Sequence, residues 1–394
     1  MPSLLLYGGT FNPIHLGHLA LCRTAWEQLA LDRILLMPAA RPPHKEAPDL
    51  AADRHRLAMC RLAARLLPRA EACAYELERG GASYTIDTLE YLHHTRPGCD
   101  LYLLMGSDMY LTFRQWRRWR DIAALATLAV GVRRGEDSAA VLSAREELDA
   151  LGVRTVLLDH PALEMSSTGI REELRRTGHS DRLPPEVMIY LRYQGLYGTG
   201  TPGGVVDESL QRLLRDYIRP LMGEKRYSHS LCVEQRAVHL AKLYGADPKK
   251  AAVAGVLHDI CKDMDPADRL QTIPRSDIIN AIDFSAQPQL IHSYAAPPYI
   301  REHLGLDDPE ILDAVRYHTS ARGEMTPLDC TVYLADFTSD DRDYPDVEVL
   351  RALCETSMDG AMAYALRYIV EQELPAAGQT PCPATRAAYA RFCK

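Results

Sequence analysis

The stretch LLLYGGTFNPIHLGH at residues 4–18 decides the first part of the fold. A short apolar run, Leu4–Tyr7, ends at two glycines, and apolar residues then recur at helical spacing over Leu16–Leu29. This order predicts a β-strand, a glycine turn and an α-helix. Glycines in such a turn let the backbone approach a bulky anion, and the free N–H groups of the helix point towards it. His15 and His18 project from one face of the first helical turn, where imidazoles can donate to phosphate oxygens.

Strand-length apolar runs and helical stretches alternate through the rest of the first half of the chain. This alternation predicts an α/β fold with a Rossmann-like parallel sheet. The predicted helices include Leu16–Leu29 and Asp53–Leu67. The predicted strands are Leu4–Tyr7, Arg33–Met37, Leu101–Leu104, Leu128–Val132 and Val153–Leu158.

The sequence changes character at Gly198–Gly204, the stretch richest in turn-forming residues. Beyond it strand candidates nearly vanish and helical patterns dominate, which predicts an all-α second half. We therefore expect an N-terminal domain at 1–198, a linker at 199–207 and a helical bundle at 208–394. The predicted helices of the bundle are Glu208–Leu221, Leu231–Tyr244, Lys249–Lys262, Asp308–His318 and Val347–Glu373.

The composition is that of an ordinary globular protein, with 394 residues, 47% apolar and 25% charged. The formal charge of −8 and the pI near 6.0 argue against a protein that coats nucleic acid or anionic membrane, so we expect neither as a partner. Met1–Tyr7 contains no basic leader, and the ten cysteines form no CxxC pair. We expect reduced thiols and a cytoplasmic protein.

A second candidate phosphate site lies late in the first half. Three hydroxyl residues precede the helical stretch Ile170–Arg176, and one of them can cap that helix while its N–H groups face a triphosphate. Arg171 in that helix offers a planar cationic fork to phosphate oxygens. Elsewhere, Lys45 is either a mobile phosphate ligand or a solvated lysine, and Trp116 either stacks on a pyridine ring or packs in the core. The three hydroxyl residues are Ser166, Ser167 and Thr168.

These segments together resemble the HxGH nucleotidyltransferase superfamily and, within it, the bacterial nicotinate-nucleotide adenylyltransferases. The resemblance covers almost all of residues 1–198, and Met165 stands where the family usually has isoleucine. Besides the glycine–histidine string, the matching segments are Pro42–Lys45, Glu76–Thr88, Gly106–Asp108, Trp116–Trp119, Met165–Arg171 and Leu183–Tyr197.

The resemblance implies transfer of AMP from Mg²⁺-bound ATP to nicotinate mononucleotide, with release of pyrophosphate and no covalent protein nucleophile. It implies that His15, His18 and Arg171 are catalytic. Asp108 then binds either ribose or Mg²⁺, and another phosphorylated acceptor or the nicotinamide nucleotide stays an alternative. The implied ATP- and substrate-binding residues are Gly8, Gly9, Thr10, Phe11, His44, Lys45, Thr85, Gly106, Asp108, Trp116, Ser166, Ser167 and Thr168.

Four histidines and two aspartates of the helical half form a candidate metal centre. Imidazole and carboxylate groups suit transition metals, and two metal ions need about six such ligands. Asp259 directly follows His258 and can bridge two ions, while Lys262 and Asp263 lie one helical turn beyond this pair. Arg322 is a further phosphate-contact candidate, although all three charges can equally be solvated. The six ligands are His229, His258, Asp259, His292, His318 and Asp336.

The order H…HD…H…H…D resembles the HD phosphohydrolase superfamily, and most closely its symmetrical diadenosine-tetraphosphate hydrolases. This implies hydrolysis of diadenosine tetraphosphate to two ADP with two metal ions, iron or manganese, and catalytic roles for Asp259, Lys262 and Asp263. Two segments depart from the pattern, because Ile291–Ala296 and Thr319–Arg322 lack a glycine that the family usually has. A non-catalytic or regulatory nucleotide-binding module is the alternative, and a homo-oligomer is possible.

Overall fold

The structure, a computed structural model, describes residues 2–41, 49–133, 138–160, 165–200, 207–274, 284 and 287–394. The chain divides into two units, Met1–Pro202 and Gly203–Lys394. Most of the linker expected at 199–207 falls outside the described residues. Within the described part, no helix has both the length and the apolarity needed to cross a bilayer.

A six-stranded parallel sheet forms the centre of the N-terminal unit, which confirms the predicted fold class. The strands lie in the order β3-β2-β1-β4-β5-β6, and every neighbouring pair is parallel. The short edge strand β3 was not predicted, because the sequence Ala-Glu-Ala carries no apolar run. The strands are β1 (Ser3–Gly9), β2 (Arg33–Pro38), β3 (Ala70–Ala72), β4 (Asp100–Gly106), β5 (Ala126–Arg133) and β6 (Thr155–His160).

Helices follow the strands in this unit, and both faces of the central strands are buried. Leu4 and Leu6 of β1 belong to a core cluster with Ile86 and Leu89, while Leu5 on the opposite face is also fully buried. Burial on two faces explains why the strands are continuous apolar runs. The helices are α1 (Leu16–Gln28), α2 (Asp53–Ala64), α3 (Tyr75–Arg79), α4 (Thr85–Thr95), α5 (Ser107–Leu111), α6 (Trp119–Leu125), α7 (Ser138–Asp149), α8 (Ser167–Thr177) and α9 (Pro185–Gln194).

The described part of the C-terminal unit is helical, as expected. Helix α11 packs against α12 and α16, so that residues from all three face one region of the core. The helices are α10 (Glu208–Ile218), α11 (Glu224–Tyr244), α12 (Pro248–Leu257), α13 (Pro266–Thr272), α14 (Ile291–Leu304), α15 (Pro309–Tyr317), α16 (Pro327–Thr338), α17 (Val347–Thr356), α18 (Met358–Tyr368) and α19 (Pro383–Phe392).

Three helix predictions in this half were wrong in extent. The helix predicted to begin at Leu231 begins at Glu224, so that His229 lies inside it. The helix predicted to reach Lys262 ends at Leu257, and the next residues form turns in which the Lys262 N–H donates to the Asp259 carbonyl. The helix predicted over 347–373 is interrupted at Ser357, which has an extended backbone and caps α18. Local apolar spacing continues across both breaks, so the pattern alone did not reveal them.

Candidate active sites

The strand order of the N-terminal unit creates one place where a ligand can bind between loops. The chain runs outward from β1 in both directions, so the loops after β1 and β4 diverge at their carboxyl ends, where open α/β sheets bind ligands. The glycine–histidine string follows β1, and Gly106–Asp108 follows β4. The predicted N-terminal site therefore lies at the switch point of the sheet.

His15 and His18 stack on each other at the start of α1. Their ring centroids are 3.7 Å apart, with an interplanar angle of 27°. The His15 backbone N–H donates to Nδ1 of His18 at 3.1 Å. A ring nitrogen that accepts a hydrogen bond carries no proton, so the neutral His18 ring has its proton on Nε2 and can donate to a ligand.

Burial keeps both imidazoles neutral in the free protein. It lowers the pKa of His15 to about 4. Burial and the neighbouring His15 together hold the pKa of His18 well below its usual value. Both rings therefore act first as hydrogen-bond donors, and a bound triphosphate would favour their protonation.

The glycines of this site make room for its side chains. A β-carbon at Gly17 would lie 3.1 Å from the His15 ring, and one at Gly106 would lie 2.8 Å from Oδ1 of Asp108. A β-carbon at Gly9 would lie 3.0 Å from the Phe11 ring, whereas one at Gly8 would have no atom within 4 Å. Gly8 is thus the glycine at which a ligand can approach the backbone most closely.

The start of α8 contacts the glycine–histidine loop after β1, although the contacting residues Ser167 and Pro13 are 154 positions apart in the chain. The Ser166 hydroxyl accepts from the Gly169 N–H at 3.1 Å and caps the helix, and the Ser167 hydroxyl donates to the Pro13 carbonyl at 2.9 Å. Arg171 donates from Nη1 to the Asn12 carbonyl at 2.8 Å, while its Nη2 lies 3.4 Å from the Thr168 hydroxyl. The two phosphate-binding patterns predicted from the sequence therefore meet.

The remaining predicted residues of this site have varied surroundings. Phe11 is buried, so only its backbone can face a ligand, and the Thr10 carbonyl already accepts from a buried arginine. Thr85 starts α4, and Asp108 is exposed. Trp116 is half-buried beside Phe113, with ring centroids 5.7 Å apart, so one part of it packs in the core. His44 and Lys45 lie outside the described residues.

Sequence reasoning missed two residues that hold the glycine–histidine loop. The fully buried Arg56 donates from Nη1 to the Thr10 carbonyl at 3.0 Å and to the Ala39 carbonyl at 2.5 Å. The Tyr197 hydroxyl donates to the side chain of Asn12. Arg56 belongs to no local motif, although a buried arginine inside an apolar helical pattern is unusual. Tyr197 ends the matching segment Leu183–Tyr197, but that match did not indicate its contact with Asn12.

In the C-terminal unit, five separate segments bring the six predicted ligands together. His229 lies in α11, and His258 and Asp259 follow α12. His292 lies in α14, His318 caps the end of α15, and Asp336 lies in α16. Two groups have ligand atoms within 4.8 Å of one another, namely His229, His258 and Asp336, and His258, Asp259 and His318. The two groups share His258, and together they form one candidate metal centre.

Asp259 lies between the two groups. Its Oδ2 is 3.6 Å from Nε2 of His258, and its Oδ1 is 3.1 Å from Nε2 of His292 and 3.6 Å from Nε2 of His318. Nε2 of His229 lies 2.9 Å from Oδ1 of Asp336 on the other side. Asp259 thus contacts three of the predicted histidine ligands, and its bridging role stays a prediction.

The outer ring nitrogens orient the imidazoles towards the centre. Nδ1 of His258 lies 2.7 Å from the Gly255 carbonyl, and Nδ1 of His318 lies 2.6 Å from the Val315 carbonyl. Nδ1 of His229 lies 2.8 Å from Asp341, a carboxylate that the sequence analysis did not select. Such contacts are the usual outer support of metal-binding histidines, whose Nε2 atoms then face the metal.

Several inner atoms lack a hydrogen-bond partner, and this tests whether the residues fit metal ions. Nε2 of His258 and Oδ1 of Asp259 are buried and make no hydrogen bond within the described residues. Nε2 of His292 lies 3.1 Å from Nε2 of His318, so two ring nitrogens face each other. Buried polar atoms left in this way are costly, and metal ions would satisfy them. The donor set therefore fits metal ions.

Four of the six ligands have the ionisation state that metal binding requires. His229 differs, because burial disfavours its charged form but the hydrogen bond with Asp336 outweighs this and raises its pKa. Burial lowers the pKa of His258 and of His292 to about 4, so both rings are neutral. Burial alone would raise the pKa of Asp259, but nearby His258 holds it well below its usual value. Burial would likewise raise the pKa of Asp336, but its hydrogen bond with His229 holds that pKa below its usual value. Neutral imidazoles and ionised carboxylates are the ligand forms that bind metal.

Cations surround this centre, and one predicted contact is wrong. Lys262 lies 3.4 Å from Oδ1 of Asp259, although it reaches the site from a turn rather than from a helix. Asp263 accepts a hydrogen bond from Arg226, which also donates to Asp259 at 2.7 Å. Asp263 is therefore linked to Asp259 through Arg226. The guanidinium of Arg322 is instead paired with Asp313 and Asp329, which removes it from the predicted phosphate site.

Arg342 is the second cation at the centre that sequence reasoning missed. Its Nε donates to the Asp336 carbonyl at 2.8 Å, and its Nη2 contacts the carboxylate of the same residue. It lines a cleft with Tyr344 and Tyr368. The only sequence signal was the string Arg342–Pro345 after the last ligand, which has no spacing rule of its own.

Comparisons with known proteins separate the same two halves. Residues 6–173 match the cytidylyltransferase-like family, and residues 226–340 match the HD domain family. A probable nicotinate-nucleotide adenylyltransferase of Acidithiobacillus ferrooxidans is 39% identical over 211 residues, which are 50% of this chain and 95% of that protein. One of Solibacter usitatus is 40% identical over 197 residues, covering 50% and 99%.

A solved structure resembles the other half. It is described as a "predicted HD superfamily hydrolase involved in NAD metabolism" from Clostridium acetobutylicum. It is 27% identical, covers 45% of this chain and 94% of its own, and has a TM-score of 0.41. By its N-terminal half the chain belongs to the nicotinate-nucleotide adenylyltransferase family, and an HD domain follows in its C-terminal half.

Proposed function

We propose that the N-terminal unit, with boundaries at 1–198, transfers AMP from ATP to nicotinate mononucleotide. The observation that carries this proposal is the meeting of the His15–His18 pair with the start of α8 on one loop at the switch point. Family membership supports the choice of acceptor, since relatives of 39% and 40% identity have that name. The products are nicotinate adenine dinucleotide and pyrophosphate.

The chemistry needs alignment and charge neutralisation rather than a protein nucleophile. A phosphate oxygen of the mononucleotide attacks the α-phosphorus of ATP, and the bond to the β-phosphate breaks as pyrophosphate leaves. Nε2–H of His18 donates to the phosphate oxygens, and Arg171 with the N–H groups of α8 holds the leaving pyrophosphate. Mg²⁺ enters with ATP, and Asp108 is the exposed carboxylate available to it or to a ribose.

Chromatographic identification of the product tests the acceptor. The protein is incubated with ATP, Mg²⁺ and, in separate reactions, nicotinate mononucleotide, nicotinamide mononucleotide or pantetheine phosphate. We expect the nicotinate dinucleotide to form fastest, with one pyrophosphate released per product. Faster reaction with pantetheine phosphate, and none with nicotinate mononucleotide, would replace the proposed acceptor with the alternative one.

We infer that the C-terminal unit, beyond a linker at 199–207, hydrolyses diadenosine tetraphosphate to two ADP. The convergence of the six imidazole and carboxylate ligands, with the buried Nε2 of His258 and Oδ1 of Asp259 making no hydrogen bond, carries this inference. His229, His258 and Asp336 would hold one ion, and His292 and His318 the other, with Asp259 shared. When bound, two such ions, iron or manganese, activate water and polarise a phosphate.

The other residues of this site are assigned by their contacts. Lys262 reaches both Asp259 and His292, so its ammonium can meet a phosphate at the centre. Asp263 fixes Arg226, which holds Asp259 in place. We therefore assign Lys262 to the substrate and Asp263 to positioning.

The alternative for this half is a nucleotide-binding module without catalysis. It predicts that purified protein contains only trace metal and releases no ADP from diadenosine tetraphosphate with any divalent ion. We expect about two equivalents of transition metal per chain by elemental analysis. We also expect ADP as the only product of the hydrolysis, because ATP with AMP would indicate cleavage at a different phosphate.

A further inference from the structure

A cleft of about 300 Å³ opens beside the candidate metal centre of the C-terminal unit. Three of its residues, Asp336, Thr319 and Arg342, also contact the histidine cluster. Asp336 is a ligand candidate, and the Thr319 hydroxyl lies 3.4 Å from Nε2 of His292. A molecule in the cleft would therefore reach the centre. The rest of the lining is Phe337, Arg342, Tyr344, Tyr368, Ile369 and Glu373.

Arg342 places a cation where the cleft meets the metal centre. It is held from one side through the Asp336 carbonyl and carboxylate, and its Nη2 lies 3.3 Å from Nε2 of His229. Its side chain is nevertheless 40% exposed. A guanidinium that is both fixed and accessible is well suited to bind a phosphate group in this position.

Two tyrosines provide aromatic surface further along the cleft. The rings of Tyr344 and Tyr368 are nearly parallel, at 22°, with centroids 6.4 Å apart. The Tyr344 hydroxyl donates to the Phe337 carbonyl at 2.9 Å, which fixes the orientation of that ring. Tyr368 is 37% exposed. Exposed, oriented aromatic rings beside a phosphate-binding cation are the usual platform for a nucleobase.

The backbone departs from a regular helix at this wall of the cleft. A π-helical turn, Ile369–Glu373, directly follows α18 and contributes its first and last residues to the lining. Such turns are rare and occur frequently at functional sites. Glu373 at the end of this wall is exposed and offers a carboxyl group with which a polar ligand atom could pair.

We propose that this cleft is a nucleoside subsite, in which Arg342 binds the phosphate next to the metal centre and Tyr344 and Tyr368 stack on the attached base. The proposal rests on the inferred hydrolase function for the identity of the whole substrate. The cleft volume is at the lower end for ligand pockets, which suits one nucleoside and not both. The second nucleoside of a dinucleotide would then lie outside it.

Photolabelling of the full-length protein with 8-azido-ADP locates the subsite without depending on turnover. We expect labelled peptides that contain Tyr344 or Tyr368, besides any from the N-terminal unit. Tyr368→Ala should abolish this labelling, and Tyr368→Phe should keep it, because stacking needs the ring and not the hydroxyl. In hydrolysis assays, Tyr368→Ala should raise KM for diadenosine tetraphosphate at least about fivefold with a smaller effect on kcat.

The outcomes separate the subsite from the hydrolase function. Label confined to the N-terminal unit, or a wild-type KM for Tyr368→Ala, overturns the subsite. Labelling at the cleft without any hydrolysis by the wild-type protein overturns the hydrolase function and leaves the subsite standing. Pyrophosphate has no base, so it should inhibit hydrolysis equally in the wild-type protein, Tyr368→Ala and Tyr368→Phe. A loss of this inhibition in Tyr368→Ala would show that the substitution distorts the whole cleft, and it would overturn the stacking role.

Discussion

At the residue scale, the N-terminal histidines are prepared for phosphate binding by their burial. A buried neutral imidazole that gains an anionic partner is expected to take up a proton, which strengthens its contact with the phosphate. His15 has a pKa of about 4 in the free protein, so almost none of it is charged at neutral pH. The protein therefore meets its substrate with donors rather than with a preformed positive charge.

This burial makes stability depend on pH in a stated direction. The folded pKa of His15, about 4, lies below the usual 6.5, so its contribution to stability is present above 6.5 and is lost as pH falls towards 4. Between pH 7.5 and pH 5, wild-type protein should lose about 2 kcal/mol more stability than His15→Asn. Urea unfolding measured by tryptophan fluorescence isolates this unit, because Trp26, Trp116 and Trp119 are the only tryptophans of the chain. Equal losses would contradict the buried neutral state.

Ala321 lies in the segment Thr319–Arg322, where the family that this half resembles usually has a glycine. It is fully buried with φ +54°, a conformation that costs a side-chain-bearing residue roughly 1–2 kcal/mol. Ala321→Gly should therefore change stability by less than about 0.5 kcal/mol, since relief of this strain offsets the lost methyl contacts. Ala254→Gly, at an equally buried position in α12, should cost about 1–2 kcal/mol.

Urea unfolding followed by circular dichroism compares these two glycine variants. Tryptophan fluorescence should show no movement of the N-terminal transition in either. If Ala321→Gly is as destabilising as Ala254→Gly, then the positive φ stores no strain.

At the element scale, the side chain of Arg56 joins the loops after β1 and β2. Arg56 of α2 donates to carbonyl groups of both loops and to the Ala51 carbonyl, and its Nη2 pairs with Asp53. Its guanidinium fork spans acceptors that a lysine ammonium cannot reach together. The shape of the phosphate loop thus depends on a residue outside every recognised motif.

Arg56→Lys should destabilise the N-terminal unit by roughly 2 kcal/mol or more, because several buried carbonyl groups lose their donor. Arg54→Lys is the matched control, because Arg54 lies two residues earlier in the same helix and is exposed. This substitution should change the free energy of unfolding by less than about 0.5 kcal/mol. The readout is again tryptophan fluorescence during urea unfolding. Equal stability of the two variants would mean that Arg56 does not brace these loops.

The elements also show how far sequence reasoning reached. Five strands and the paired histidines were predictable because apolar runs, glycines and spacing are local signals. The short β3, the break at Ser357 and the end of α12 were not, because tertiary packing decides them. Asp341 and Arg342 were missed for a related reason, since the tertiary fold sets their contacts with His229, which lies 112 and 113 positions earlier.

At the scale of the whole molecule, the proposed functions use different chemistry for nucleotide phosphates in the two units. The N-terminal site relies on helix starts, neutral histidines and an arginine, whereas the C-terminal site is built of metal ligands. A net charge of −8 did not argue against either, because it does not determine which groups lie at an individual site, such as Arg171 in the first and Arg342 in the second. The acidic composition limits only bulk polyanion partners.

Removal of metal should therefore separate the activities. After chelation and dialysis, Mg²⁺ alone should restore adenylyl transfer fully and hydrolysis hardly at all. Manganese or ferrous iron should restore the hydrolysis, since a centre of four imidazoles favours transition metals. Full recovery of hydrolysis with Mg²⁺ alone would contradict the assignment of the histidines as ligands.

The most direct test of two nucleotide-phosphate sites in one chain assays both reactions on the same two variants of the full-length protein. His18→Ala should lower adenylyl transfer about 10²-fold or more and leave hydrolysis of diadenosine tetraphosphate unchanged. Asp259→Asn should abolish hydrolysis and leave adenylyl transfer unchanged. A parallel loss of both activities in either variant, or the absence of either reaction from wild-type protein, would contradict this assignment of the two sites.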